Sequence, residues 1–207
     1  IAEVFLTAYQ SLFTIGKLKA NDSVFIHAGA SGVGTAAIQL AKAINCHVVT
    51  TTSNEVKQKA CSALGADQVI NYHEEDFVKW SKEHQPHGFD VILDVVGGDY
   101  LNKNINCLGF DGRIVILSML GGRFSEPVDI AKLLMKRATI HASTLRNRSD
   151  DYKSRLIAEF TQEFLPLLQS QQLKPVIDHV FNWHDVEDAH TKMQKNENIG
   201  KLVLVVE

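Results

Sequence analysis

Val24-Phe25-Ile26-His27-Ala28-Gly29-Ala30-Ser31-Gly32-Val33-Gly34-Thr35-Ala36-Ala37 decides how this chain is read. A short apolar run suits a buried strand, a glycine-rich turn follows, and a helix opens after it. Gly32, Gly34 and Ala37 fit the spacing G-x-G-x-x-A. In that pattern the first small residue permits a tight turn, and the second lets backbone N–H groups approach a pyrophosphate. The third lets the helix pack close to the strand. The phosphates then sit at the positive end of a helix dipole. Loops also produce such glycines by chance, so the flanking strand and helix are what make this a dinucleotide-binding candidate.

Working outward, strand-like and helix-like segments alternate. The pattern predicts a helix over 2–15, strands at 24–27, 47–51, 68–70, 89–96, 112–118 and 139–142, and helices over 34–44, 54–64, 74–82 and from Gly97-Gly98 to about 107. Alternation of this kind gives an α/β fold with a doubly wound parallel Rossmann sheet, covered on both faces. The remainder reads differently: a long amphipathic helix over 151–169 interrupted by Pro166, an extended run at 175–181, a helix over 185–194 and a strand at 201–206. The expected division is therefore a dinucleotide-binding domain over 1–150 and a return segment over 151–207, directed toward another domain.

Composition narrows the function classes. The chain has 207 residues, 45% of them hydrophobic and 22% charged, which permits a sizeable core. No apolar run approaches the roughly 18 residues a membrane-spanning helix needs. A net charge of -3 without a basic block argues against nucleic acid and anionic membranes as partners. The basic residues at 132–137 and at Arg146 and Arg148 read as solvated. Cys46, Cys61 and Cys107 are odd in number and lack C-x-x-C spacing, which argues against a disulfide framework and structural zinc. No secretory signal is evident, and the first residue is Ile1, as expected of a processed or partial start. A reducing cytoplasm is the expected compartment.

A dinucleotide site must also choose between a ribose hydroxyl and a 2′-phosphate. Sites for NAD place Asp or Glu at the end of the second strand. That strand here ends Thr50-Thr51-Thr52-Ser53-Asn54, without an acid. Lys57 follows in the first turn of the next helix, Thr52 and Ser53 offer hydroxyls, and Tyr72 follows the third strand. Charge complementarity favours NADP(H).

These residues, with Leu6-Thr7-Ala8-Tyr9-Gln10, Leu64-Gly65-Ala66, Asn71-Tyr72, Gly97-Gly98, Asp111-Gly112-Arg113 and Asn198-Ile199-Gly200-Lys201, are jointly specific. The chain resembles the zinc-independent quinone oxidoreductases of the medium-chain dehydrogenase/reductase superfamily, in particular the p53-inducible type. The resemblance implies NADPH-dependent hydride transfer to a quinone or other electron-poor acceptor. It implies a cofactor site in which Thr7 approaches the nicotinamide and Ser31, Gly32 and Val33 form the pyrophosphate loop. Ser53, Lys57 and Tyr72 form the 2′-phosphate pocket, and Ser118, Met119 and Leu120 border the nicotinamide ribose. Ser143, Thr144 and Leu145 hold the carboxamide, and Asn198 reaches the cofactor from the return segment. It further implies a homodimer through the edge strand near 138–143. Members of the family also carry a preceding, partly open β-barrel domain, to which the return segment would belong, so the cofactor-binding portion alone is expected to have little activity.

No catalytic residue is assigned. The spacing of His, Cys and Glu gives no zinc set, no G-x-S-x-G elbow occurs, and the nine histidines are scattered. His27 reads as a packed core residue. Two alternatives stay open: an enoyl-thioester reductase of the same superfamily, and an NADPH-binding module without turnover.

Overall fold

The computed structural model describes residues 2–206. Helix α1 (Val4–Tyr9) widens into a π-helical turn, Gln10–Ile15. The Ser11 hydroxyl donates to the Thr7 carbonyl at 2.7 Å, a side-chain bond that competes with the regular ladder at that junction. There follow β1 (Ser23–Ile26), α2 (Gly32–Ala43), β2 (His47–Thr52), α3 (Glu55–Ala63) and β3 (Gln68–Asn71). Next come α4 (Phe77–His84), β4 (Phe89–Asp94), α5 (Tyr100–Cys107), β5 (Leu108–Ile116), α6 (Ile130–Lys136) and β6 (Thr139–Ala142). These six strands form one parallel sheet in the order β3-β2-β1-β4-β5-β6. The expected Rossmann sheet is thus the one observed. Strand order reverses between β1 and β4, which opens a crevice beyond their carboxyl ends.

Both faces of the sheet are covered, which is why the central strands read as continuous apolar runs rather than alternating ones. Val24, Ile26, Val48, Val91, Leu93 and Val115 pack on one face with Phe5, Leu12, Ile38, Leu40 and Phe160. Phe25, Val49, Ile92 and Ile114 pack on the other with Phe77, Trp80 and Ile105. Helix α7 (Asp150–Gln169) joins the first cluster through Leu156, Phe160 and Phe164, and Tyr9 meets Phe160 edge-on at 5.6 Å.

Several boundaries differ from the sequence reading. Helix α4 starts at Phe77 rather than at 74, because the Asp76 carboxylate accepts from Val78 and Lys79 N–H and caps it there. Pro166 does not interrupt α7. Phe160 and Phe164 before it, and Leu167 and Leu168 after it, all pack on one cluster and carry the helix past the missing N–H. Helix α6 overlaps the basic run at 132–137, which the sequence alone reads as solvated and which is helical there. Its start is capped by Asp129, and none of its residues is buried.

After α7, β7 (Ile177–Asn182) and β8 (Lys201–Val205) form a separate parallel pair, with α8 (Val186–Gln194) between them. This pair meets the main sheet's loops at a bridge between Ser31 and Gly200, where Gly200 N–H donates to the Ala30 carbonyl at 2.8 Å. Among the described residues no helix is long and apolar enough to cross a membrane.

Candidate functional site

The crevice predicted at the sheet's switch point is a cleft of about 720 Å³. Its floor is the turn between β1 and α2, with Ala28, Ala30, Ser31 and Gly32. One side is the end of β2 and the start of α3, with Thr51, Thr52, Ser53 and Lys57, and Tyr72 beyond β3. The opposite side carries Val96, Tyr100, Leu120 and Gly121. The third wall comes from the far end of the chain: Met193, Asn196, Asn198, Gly200, Lys201 and Leu202.

Ser31 caps α2, its hydroxyl accepting from Gly34 N–H at 3.0 Å. The glycines divide their work differently from the sequence reading. Gly34 is buried rather than presented to a ligand. A β-carbon there would stand 2.4 Å from the Ala28 carbonyl oxygen and 2.7 Å from that of Gly29. Its bareness lets the first turn of α2 close down on the loop. Gly32 is the glycine on the cleft wall, where a β-carbon would meet the flexible Lys201 stem at 2.6 Å.

At the end of β2, Thr52 is 2% exposed, and its hydroxyl has no hydrogen-bond partner among the described residues. A buried, unpaired hydroxyl is costly unless something else pairs with it. Lys57 is 5% exposed, and its Nζ donates to the Asn196 carbonyl at 2.6 Å and to Asn196 Oδ1 at 2.8 Å. Burial lowers its pKa from 10.5. Among the described residues no carboxylate lines this cleft, Glu197 lying in the adjoining one, and the donors present suit a ribose phosphate.

The cleft brings together Ser31, Gly32, Ser53, Lys57, Tyr72, Leu120 and Asn198. Ser118, Met119, Ser143 and Thr144 line a second cleft of about 550 Å³ along the ends of β5 and β6. Val33 and Leu145 are half-buried against the core. Thr7 lies on α1 and lines neither cleft. Its neighbour Gln10 turns inward and donates to Ser143 Oγ at 3.3 Å and Tyr152 Oη at 3.0 Å, which ties α1 to the second cleft.

A polar network beneath the switch point was legible only as a packed histidine. His27 Nε2 lies 2.7 Å from Asn104 Oδ1, and Asn104 Nδ2 donates to Asp94 Oδ2 at 3.0 Å. The carboxylate can only accept, so the amide orientation is fixed and Nε2 carries the proton. Nδ1 then accepts from Thr51 Oγ1 at 3.1 Å. Asp94 Oδ1 takes the N–H groups of Val96 at 2.7 Å and Gly97 at 2.9 Å, holding the loop that walls the cleft. Burial lowers the His27 pKa below its ordinary 6.5, against the pull of Asp94. The unfolded chain therefore binds this proton first as pH falls. The contribution is intact above about 6.5 and is lost below it, by up to about 1.4 kcal/mol per pH unit. Urea unfolding between about pH 8 and 5 should show this slope, and His27→Gln should flatten it. An unchanged slope in the variant would assign it elsewhere.

The three thiols are free and buried. Burial pushes Cys46 and Cys107 up to about 11 and Cys61 up to about 12, so all are packing groups. Among the described residues no group of three or more His, Cys, Asp or Glu could hold a metal ion.

Residues 32–162 match the zinc-binding dehydrogenase family. The chain belongs to that family and has the nucleotide-binding fold of medium-chain dehydrogenase/reductases. The zinc of the family name finds no donor set among the described residues. The chain is 32% identical to the synaptic vesicle membrane protein VAT-1 homolog of Danio rerio, over 98% of this chain and 45% of that protein. Its fold is similar to that of an NAD-dependent alcohol dehydrogenase, with a TM-score of 0.86 and 29% identity over 100% of this chain and 57% of the other. It is also similar to the Escherichia coli quinone oxidoreductase complexed with NADPH, with a TM-score of 0.85 and 27% identity over 97% of this chain and 62% of the other. The chain spans about half the length of the curated relatives it matches.

Proposed function

We propose that this chain is the cofactor-binding portion of an NADPH-dependent quinone oxidoreductase. The observation that carries the reading is the end of β2, where Thr52, Ser53 and Lys57 line one cleft whose lining residues include no carboxylate. The likeness to the Escherichia coli quinone oxidoreductase complexed with NADPH supports both the cofactor and the acceptor class.

Bound NADPH would supply a hydride to an electron-poor acceptor, with the second proton of the reduced quinone drawn from solvent. The chain's own residues bind and orient. The amides of Ser31, Gly32 and Val33 at the start of α2 hold the pyrophosphate. Ser53, Lys57 and Tyr72 hold the 2′-phosphate. Ser118, Met119 and Leu120, with Ser143, Thr144 and Leu145, border the nicotinamide end from the strand termini. Asn198 and Thr7 close the site from the return segment and from α1. No side chain here acts as a catalytic acid or base. Residues 1–150 form the dinucleotide-binding domain in this reading, and 151–207 lead back toward a barrel domain that completes the acceptor site in the full-length protein. Three free thiols fit a reducing, cytoplasmic compartment.

The protein is a homodimer in this reading, joined through β6, which among the described residues pairs with β5 alone and leaves its other edge open. Ile140 of β6 and Ile130, Leu134 and Met135 of α6 are exposed apolar side chains. Sedimentation at micromolar concentration tests this, and a monomer counts against it.

Parallel titration with NADPH and NADH tests the cofactor, and preference for NADH defeats the reading. Acceptor assays on the full-length protein test the reaction: quinones should be reduced, and reduction of enoyl thioesters alone would transfer the assignment to that class.

A further inference from the structure

Lys57 does not reach the cleft as a free side chain. It is clasped by a residue 139 positions away, and that residue is not among the groups assigned above to the cofactor. Asn196 follows α8 in a left-handed conformation, φ +53, that few residues other than glycine and asparagine adopt readily. Its own N–H donates to the Met193 carbonyl at 2.9 Å, which fixes the turn. The next residues are fixed too. Asp178 accepts from Ile199 N–H at 3.1 Å through one oxygen and pairs with Lys192 at 2.6 Å through the other. Asn196 therefore meets Lys57 from a braced turn, with both of its oxygens.

An ammonium has three protons in a tetrahedral arrangement. Two are taken by Asn196, the third has no acceptor among the described residues, and Ser53 and Tyr72 line the same cleft as Lys57. A lysine held in this way loses little further rotamer freedom when an anion arrives, unlike an unrestrained surface lysine.

We propose that Asn196 is the positioning residue that sets the preference for NADPH over NADH, by orienting the Lys57 ammonium so that one N–H remains for the 2′-phosphate. This rests on the cofactor reading given under Proposed function. Asn196 acts through Lys57, 139 positions away in sequence, and does not itself hold the phosphate.

The test is titration of the 207-residue chain with NADPH and with NADH, read as the ratio of the two dissociation constants. Asn196→Gly keeps the left-handed turn and the carbonyl but removes Oδ1. Asn196→Asp keeps the shape and places a negative charge where the phosphate arrives. Each should lower the NADPH preference by about tenfold, Asp the more, with NADH affinity within about twofold of the unaltered chain. Lys195→Ala removes an exposed cation lining the same region and should leave the ratio unchanged. If glycine loosens the turn, aspartate reports alone. An unchanged ratio in the Asn196 variants, with NADPH still bound, overturns this inference and leaves the cofactor reading standing. An unaltered chain that binds neither nucleotide, or prefers NADH, overturns both.

Discussion

Lys57→Met should weaken NADPH binding by about 10- to 100-fold and leave NADH binding nearly unchanged, the loss expected when a charged hydrogen bond worth about 1.5–3 kcal/mol is removed. The methionine keeps the apolar stem that lets Lys57 sit buried in the wall. What disappears is the charge and the donors that meet Asn196 at 2.6 and 2.8 Å. The two nucleotides differ only in the 2′-phosphate, so a loss confined to NADPH isolates that group. Isothermal titration with both gives the answer. An equal loss for NADPH and NADH would make Lys57 a clasp for the return segment and nothing more.

Gly34→Ala should cost about 3 kcal/mol of folding free energy, the upper end of what overpacking a tight site does. The added carbon would fall 2.4 and 2.7 Å from two carbonyl oxygens and 2.8 Å from the Gly29 carbonyl carbon, all backbone. Neither β1 nor its loop can yield, since Ile26 pairs with Thr50 on one side and Leu93 on the other. Gly32→Ala is the contrast. Its β-carbon would press on Lys201 Cδ at 2.6 Å, the far part of a flexible side chain, with Val4 Cγ1 at 3.0 Å. That variant should fold with a smaller loss and show its defect in nucleotide affinity. Urea midpoints for the two variants decide the matter, and equal midpoints would sink the division of roles between the glycines.

The parallel sheet was legible because its central strands bury both faces and so leave uninterrupted apolar runs, as at residues 89–96. Local chemistry also placed the turn after β1. What escaped was decided at a distance. Helix α6 is short and lies in a run with three basic residues, and only Leu133 of its apolar residues packs against the core. Pro166 reads as a break until the contacts on both sides of it are known. The Thr51–His27–Asn104–Asp94 chain joins four elements, and its members look unremarkable singly. Lys57 was visible as a cation near the ribose, but its partner is 139 residues downstream, and no local pattern links them. A left-handed asparagine after a helix was the one available hint.

The position of the third wall has a consequence for biosynthesis. Strands β1 to β6 span residues 23–142 and can pair as the polypeptide leaves the ribosome, amino-terminal elements first. The Ser31–Gly200 bridge and the turn at Asn196 arrive some fifty residues later in translation. A nascent chain with a finished sheet therefore still lacks the third wall of its cleft, which closes only after β8 has emerged and docked.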